Sequence, residues 1–425
     1  MESRATYTLL GLFLAQVVLC VFGTQIFVAR SNPFALILVS VALTYSCYQQ
    51  LRRSSERASS DGTGDWKTAF FFALVGIGLM ASTYNALQGI WEKYPDPGSI
   101  SDVLPQLQGQ ADLFFSGQTP YQRITTVPHH PYPVYLPLHW LPFGLSTWTG
   151  MDARWPGILM LTIAVGIAGF ALYRSHSGAS LRTTLPAMVL FVVPLLAFIK
   201  WSKLDLGVSS EGIVAAWYLL LAVGLATRKL PLIVIGLVGG ILSRYTFLFW
   251  LPLFALLLWW YEEKKRSFWV WGIVVASGLL LFVIPFLMKD PTIMESMKNH
   301  YNDCSERSWV RPDEYTFREG LSLNIHLREW LPGAPEQNSP YKHVPQFGLQ
   351  LLLVGLAVWY YRRRAYKEMD LYTYSLVALS LLPMLFYTTS PMLFRYYMLM
   401  PLMVSAVLVW KTLAMGHPFN LGKKV

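Results

Sequence analysis

Apolar residues in this chain come in long unbroken runs separated by short polar or basic breaks. Runs of roughly 16 to 24 residues, folded as helices, approach or exceed what a hydrocarbon core about 30 Å thick requires. The pattern predicts spans near 6–29, 34–50, 68–91, 152–174, 185–200, 211–227, 230–243, 246–261, 267–288, 346–361, 370–388 and 392–412. The expected fold class is therefore all-α and polytopic, with about twelve transmembrane helices and both termini on one face. Two long polar segments, 92–151 and 289–345, fall on the other face. The chain then divides into an N-terminal hairpin with its loop (1–67), a core carrying the first long loop (68–288), the second long loop (289–345) and the last helices (346–425).

One apolar stretch does not fit a crossing. "VYLPLHWLPFGLSTW" (134–148) is short, holds two internal prolines and carries tryptophans, which suits a helix lying in the interface. Counting it as a span would also move the loops holding Arg174, Arg182, Arg228 and Lys229 to the opposite side from Arg52 and Arg53. Before it, Leu104, Leu107, Ala111, Phe114 and Phe115 recur at helical spacing. Ser101 is placed to cap that helix, Pro105 falls near its first turn, and Gly117 supplies a stop. The expectation is an amphipathic surface helix with Asp102 at its start.

Composition sharpens the class. The 425 residues are 54% hydrophobic and only 14% charged, against about a quarter charged in soluble domains, so no ordinary soluble domain is left over. The formal charge of +10 is spread as short clusters between apolar runs and not as a stripe interleaved with aromatics, which argues against a nucleic-acid partner. Cytoplasmic loops collect Lys and Arg, so Arg52, Arg53, Arg57, Arg174, Arg182, Arg228, Lys229, Lys264 to Arg266, Arg362 to Arg364, Lys411, Lys423 and Lys424 are expected inside. The first run lacks a small-residue cleavage site and reads as a retained anchor. Cys20, Cys47 and Cys304 form neither a disulfide framework nor a metal-ligand spacing.

An acidic residue just after an early span, then "FFSGQTPY", then "HPYPVYLPLHWLPFGL" together resemble the integral-membrane glycosyltransferases of the C superfamily (GT-C). The likeness is nearest to the polyprenol-phosphate-mannose-dependent mannosyltransferase branch. Asp102, Gly117, Pro120, Tyr121, Tyr132 and Pro133 occupy the places of that branch's loop motif, and "SPMLFRYYMLMPL" (390–402) is similar to its late Arg-Tyr segment. Val134 stands where a second Pro is common, "LDLGVSSEG" replaces an expected Gly-Gln, and two additional spans precede the loop.

The resemblance implies an inverting hexosyltransferase of the cell envelope. It would sit in a bacterial inner membrane and take a sugar from a polyprenyl-phosphate donor, facing the periplasm. The acceptor would be a glycolipid, a glycan or a protein. Such transfer needs a base for the acceptor hydroxyl and cations or N–H donors for the departing phosphate. Asp102 is the candidate base and Asp96 the second. Asp96, between prolines, also reads as a turn residue. Asp112 is roughly 80° round the helix from Asp102 and reads as a solvated face. Arg244, Arg395 and Lys203 are candidates for the donor phosphate, with Arg123 and the helix start at Ser209 and Ser210 as further places. For the arginines the plain alternative is snorkelling to lipid headgroups.

Tyr121, His129, His130 and Tyr132 are candidate substrate contacts, and Trp309, Tyr315, Phe317 and Trp330 suit sugar stacking or a cover over a lipid groove. No cofactor is implied, and no ligand spacing supports a divalent metal. A lipid-linked-glycan transporter, or an O-antigen-ligase-like enzyme, is the alternative class. Charges or broken helices inside spans would favour the transporter.

Overall fold

The protein is described from a computed structural model covering residues 2–26, 31–53, 66–96, 98, 101–125, 127, 130–175, 209–310 and 321–416, with single positions between 190 and 200. Among these residues there is no strand. Helices occupy the predicted runs: α1 (Glu2–Ile26), α2 (Asn32–Arg53), α3 (Trp66–Lys93), α4 (Val103–Phe115), α5 (Pro137–Trp140), α6 (Gly144–Thr149), α7 (Trp155–Arg174), α8 (Glu211–Thr227) and α9 (Leu230–Ile241). They continue as α10 (Leu251–Tyr261), α11 (Lys264–Gly278), α12 (Ile293–Val310), α13 (Asn324–Trp330), α14 (Pro335–Asn338), α15 (Val344–Arg363), α16 (Leu371–Thr388) and α17 (Leu399–Gly416). The predicted span 185–200 lies largely outside the described residues.

Among the described residues, seven helical stretches are both long and apolar enough to cross a membrane, and α8, α9 and α10 are shorter apolar helices. Twelve residues of α9 rise only about 18 Å, less than a hydrocarbon core. Hydropathy reads apolarity and not helix continuity, and the apolar runs here include breaks. Arg244 is extended (φ −148°, ψ 131°) and a 3₁₀ turn, Tyr245–Phe249, separates α9 from α10. Likewise Pro285 falls within a π-helical stretch, Leu279–Leu287, that continues α11. The wider turn accommodates a residue that lacks an N–H and crowds the preceding carbonyl.

Helix α8 is the centre of the bundle: all but Trp217 and Thr227 of its side chains are buried. Its neighbours are α7, α9, α16 and α17. The approach to α9 is backbone to backbone, since a Cβ on Gly236 would lie 2.5 Å from the Leu221 nitrogen, the small-residue packing that membrane helices favour. At the periphery, Phe268, Trp269, Val275 and Leu280 on α11 and its π continuation, and Leu351, Leu352 and Trp359 on α15, are exposed. Soluble monomers rarely display apolar surface on that scale, and hydrocarbon is its natural solvent.

Ion pairs gather the basic loops at one end. Arg52 pairs with Glu368 at 2.7 Å and Arg228 with Asp370 at 2.8 Å. Glu262 accepts from Tyr372 Oη at 2.6 Å and pairs with Arg266 at 3.3 Å. Residues 134–148 do not form one long helix. They form a broken one: α5, a 3₁₀ turn at Leu141–Phe143, and α6.

Candidate functional site

The opposite end of the bundle is built on its own apolar cluster. Leu104, Leu107 and Ala111 of α4 pack with Tyr121, Trp140, Phe143, Ile213, Leu242, Phe282, Phe286, Ile293 and Met297. The amphipathic face read from the sequence is thus the face that seats α4, and Gly117 (φ 80°) ends the helix region as expected. Ser101 Oγ accepts from the Val103 N–H at 3.3 Å. Asp102 occupies the cap position, yet its carboxylate caps nothing. It accepts from Gln106 Nε2, one turn on, at 2.8 Å, and stays exposed.

Asp102 faces the rest of this end electrostatically. Its charge is felt by Tyr135 in the loop before α5 and by His300 and Cys304 in α12. Tyr135 feels Arg244 and Glu211 as well, and burial together with the neighbouring acids raises its phenol well above the usual range. Burial pushes the His300 imidazole down, partly offset by Asp102.

Beneath lies a buried ion pair that the sequence reading did not foresee. Arg244 donates Nη1 to Glu211 Oε2 at 2.9 Å and Nη2 sits 2.5 Å from Oε1, a bidentate fork. The Glu211 side chain is 1% exposed, and the guanidinium lies 4.5 Å over the Tyr397 ring. The fork of Arg244, a candidate for the donor phosphate, is thus engaged by Glu211. The recess beside it, lined by Tyr245, Thr246, Tyr301, Tyr387, Ser390 and Tyr397 among others, has a volume of about 30 Å³, on the order of one or two waters. Arg395, in the 3₁₀ turn (Arg395–Met398) that carries Tyr397, is partly buried and within electrostatic reach of Cys20 in α1.

His139 is the second residue missed. Fully buried, it places Nε2 2.7 Å from Ser210 Oγ and Nδ1 3.2 Å from the Ser243 carbonyl. That carbonyl can only accept, so Nδ1 carries the proton and Nε2 receives the serine hydroxyl's. Burial and the nearby Arg244 charge hold the imidazole down at about 3. With Leu138 N–H bonded to the Leu242 carbonyl at 2.8 Å, α5 is pinned across the starts of α8 and the end of α9.

Several predicted contacts have other work. Tyr121 is core: 3% exposed, its hydroxyl donates to the Tyr135 carbonyl at 3.2 Å and accepts from Trp140 Nε1 at 3.3 Å, so it is not a substrate contact. Tyr132 donates to the Tyr121 carbonyl at 3.1 Å. His130 is exposed at φ 44°. Asp96 accepts from the Gly98 N–H at 2.8 Å, a local turn, and Asp112 from Thr147 Oγ1 at 2.7 Å, tying α4 to α6. Trp309 is buried, donating to Asn338 at 2.7 Å, whereas Trp330 is exposed. His129, Lys203, Tyr315 and Phe317 lie outside the described residues. Helix α12 covers this end, with Tyr301 against Tyr245 at 5.3 Å between ring centroids.

A signal for the Glu211–Arg244 pair was present. The two charges stand about equally far, 17 and 16 residues, from the hairpin turn at Arg228, whose left-handed backbone (φ 55°) ends α8. The arms of an antiparallel hairpin bring such positions together. Comparison with known proteins returned no matching family model, no matching curated protein and no matching solved structure.

Proposed function

We propose that this chain is a membrane glycosyltransferase of GT-C type, with about twelve passes. It moves a sugar from a polyprenyl-phosphate donor to a glycolipid, glycan or protein acceptor on the extracytoplasmic face. The observation that carries the reading is Asp102: an exposed carboxylate at a helix start, steadied by Gln106 and electrostatically linked to Tyr135 and His300. In the reaction, the Asp102 carboxylate takes the acceptor hydroxyl's proton as its oxygen attacks the anomeric carbon. The bond from that carbon to the phosphate oxygen breaks, its electron pair leaves with the lipid phosphate, and configuration inverts.

The test is transfer from polyprenyl-phosphate mannose by purified Asp102→Asn beside Asp112→Asn. Loss of a general base costs about 100-fold or more, while Asp112→Asn should retain most activity. Near-normal turnover by folded Asp102→Asn overturns the assignment.

One observation favours a transporter instead: a buried ion pair beside the break between α9 and α10, the kind of feature that marks translocation pathways. On that reading, proteoliposomes carry a lipid-linked sugar across the bilayer without transferring it, and Asp102→Asn leaves the flux intact.

A further inference from the structure

The basic end of the bundle, opposite Asp102, carries an aromatic girdle. Of the six exposed tryptophans among the described residues, four sit here: Trp259 and Trp260 at the end of α10, Trp269 near the start of α11 and Trp359 near the end of α15. Each lies within about 8 Å, by helix rise, of the helix end beside it. Tryptophan and tyrosine concentrate where hydrocarbon gives way to headgroups, because the ring body is apolar while its N–H or O–H seeks water. The girdle therefore marks this level of the protein as headgroup depth. Tyr261, the last residue of α10, draws the elements together: its ring is 5.0 Å from that of Tyr361 and 6.0 Å from that of Tyr366.

The charges at this level do not balance. Glu262 is engaged by Tyr372 and Arg266, Glu263 stands 3.7 Å from Arg266, Glu368 pairs with Arg52 and Asp370 with Arg228. Lys265, Arg362, Arg363, Arg364 and Lys367 are all exposed and have no acidic partner among the described residues. Arg362 is the one held in place. Its guanidinium lies 4.6 Å over the Trp260 ring. Stacking uses the flat face of the group, so the N–H fork in its plane stays available to a phosphate, which it fits with two parallel bonds.

We infer that the turn between α10 and α11 and the end of α15 form a binding site for the headgroup of an anionic phospholipid, with its phosphate on the Arg362 fork. The girdle places that fork at the depth where such headgroups lie. The four other unpaired cations add positive potential that draws anionic lipid from the leaflet. Leu256 of α10 and Leu352 and Leu356 of α15, exposed further toward the middle of the bundle, give the acyl chains an apolar wall. The site stands at the far end from Asp102, and the inference does not rest on the glycosyl-transfer reading.

The experiment titrates the detergent-solubilised full chain, by native mass spectrometry, with phosphatidylglycerol and with zwitterionic phosphatidylcholine of the same acyl chains. The parent should bind phosphatidylglycerol about 10-fold more tightly, as two or more unpaired cations near a lipid surface predict. Arg362→Gln should lower phosphatidylglycerol affinity about 10-fold. Trp260→Leu keeps every charge but removes the ring beneath the guanidinium, and should lower it about 2- to 5-fold. Arg174→Gln removes the same charge from the end of α7, whose neighbours are α3 and α8, and should stay within about 2-fold of the parent, since solvent and salt screen distant charges. A parent without preference between the two lipids overturns the inference. So does an equal loss in Arg174→Gln and Arg362→Gln, which means diffuse attraction to surface charge and no site. Parent-like affinity in both Arg362→Gln and Trp260→Leu, each eluting as folded protein, overturns it as well. Asp102→Asn should bind phosphatidylglycerol like the parent, whatever its transfer activity.

Discussion

At the scale of single residues, the site end depends on a few buried polar groups with specific partners. His139 is the clearest case. Its imidazole is neutral in the folded protein because burial and Arg244 hold it at about 3, below the unfolded value of about 6.5. Between those values the unfolded chain binds the proton and the folded chain does not, so stability is full above about pH 6.5 and is lost as pH falls toward 3. From pH 7.5 to 5 this group alone should remove about 2 kcal/mol. His139→Gln should be less stable than the parent at pH 7.5 but lose less on acidification. Thermal-unfolding midpoints in detergent at pH 7.5 and 5.0 check this, and an equal acid shift in parent and variant would clear His139 of the role.

At the scale of elements, the crossing of α7 and α8 sets where the α8 N-terminus, Ser209 and Glu211 sit. The point of contact is Gly212 against the Gly157 carbonyl, a backbone atom that no rotamer change can move aside. Gly212→Ala should therefore force the helices apart, at about 1–3 kcal/mol for overpacking, and lower the unfolding temperature. Gly272→Ala in α11, where a Cβ would meet nothing within 4 Å, should be neutral or slightly stabilising, since Ala favours helix. Matching melting temperatures for the two variants would show that the close approach is not limiting.

Over the whole molecule, two ends with different chemistry follow from the chain path. Arg52, Arg228 and Arg266 meet Glu368, Asp370 and Glu262 at one end, and α4, α5 and α12 cover the other. If the basic end is cytoplasmic, Gln118 faces outside and Lys265 inside; both are exposed. Single cysteines at those positions, in a background lacking Cys20, Cys47 and Cys304, should differ toward an impermeant thiol reagent on intact cells. Gln118→Cys should label at once and Lys265→Cys only after permeabilisation. The reverse pattern would invert the orientation.

Much of this was legible in the linear chain. Apolar runs located the helices, since backbone groups in hydrocarbon must be satisfied within the segment. The spacing of Leu104, Leu107 and Ala111 foretold the seat of α4, whereas 134–148, read as one short interfacial helix, is broken into α5, a 3₁₀ turn and α6. Polar roles were less legible. Arg244 and a free surface arginine look alike in sequence, and Tyr121 looks like any exposed tyrosine until Trp140 and the Tyr135 carbonyl close on it. Hydropathy is local and additive, so sequence alone determined where helices form. Whether a charge is paired, a hydroxyl satisfied or a cleft left open depends on which distant residues meet. Only tertiary packing could therefore close the Glu211–Arg244 fork that the hairpin spacing merely allowed, and seat His139 between Ser210 and Ser243.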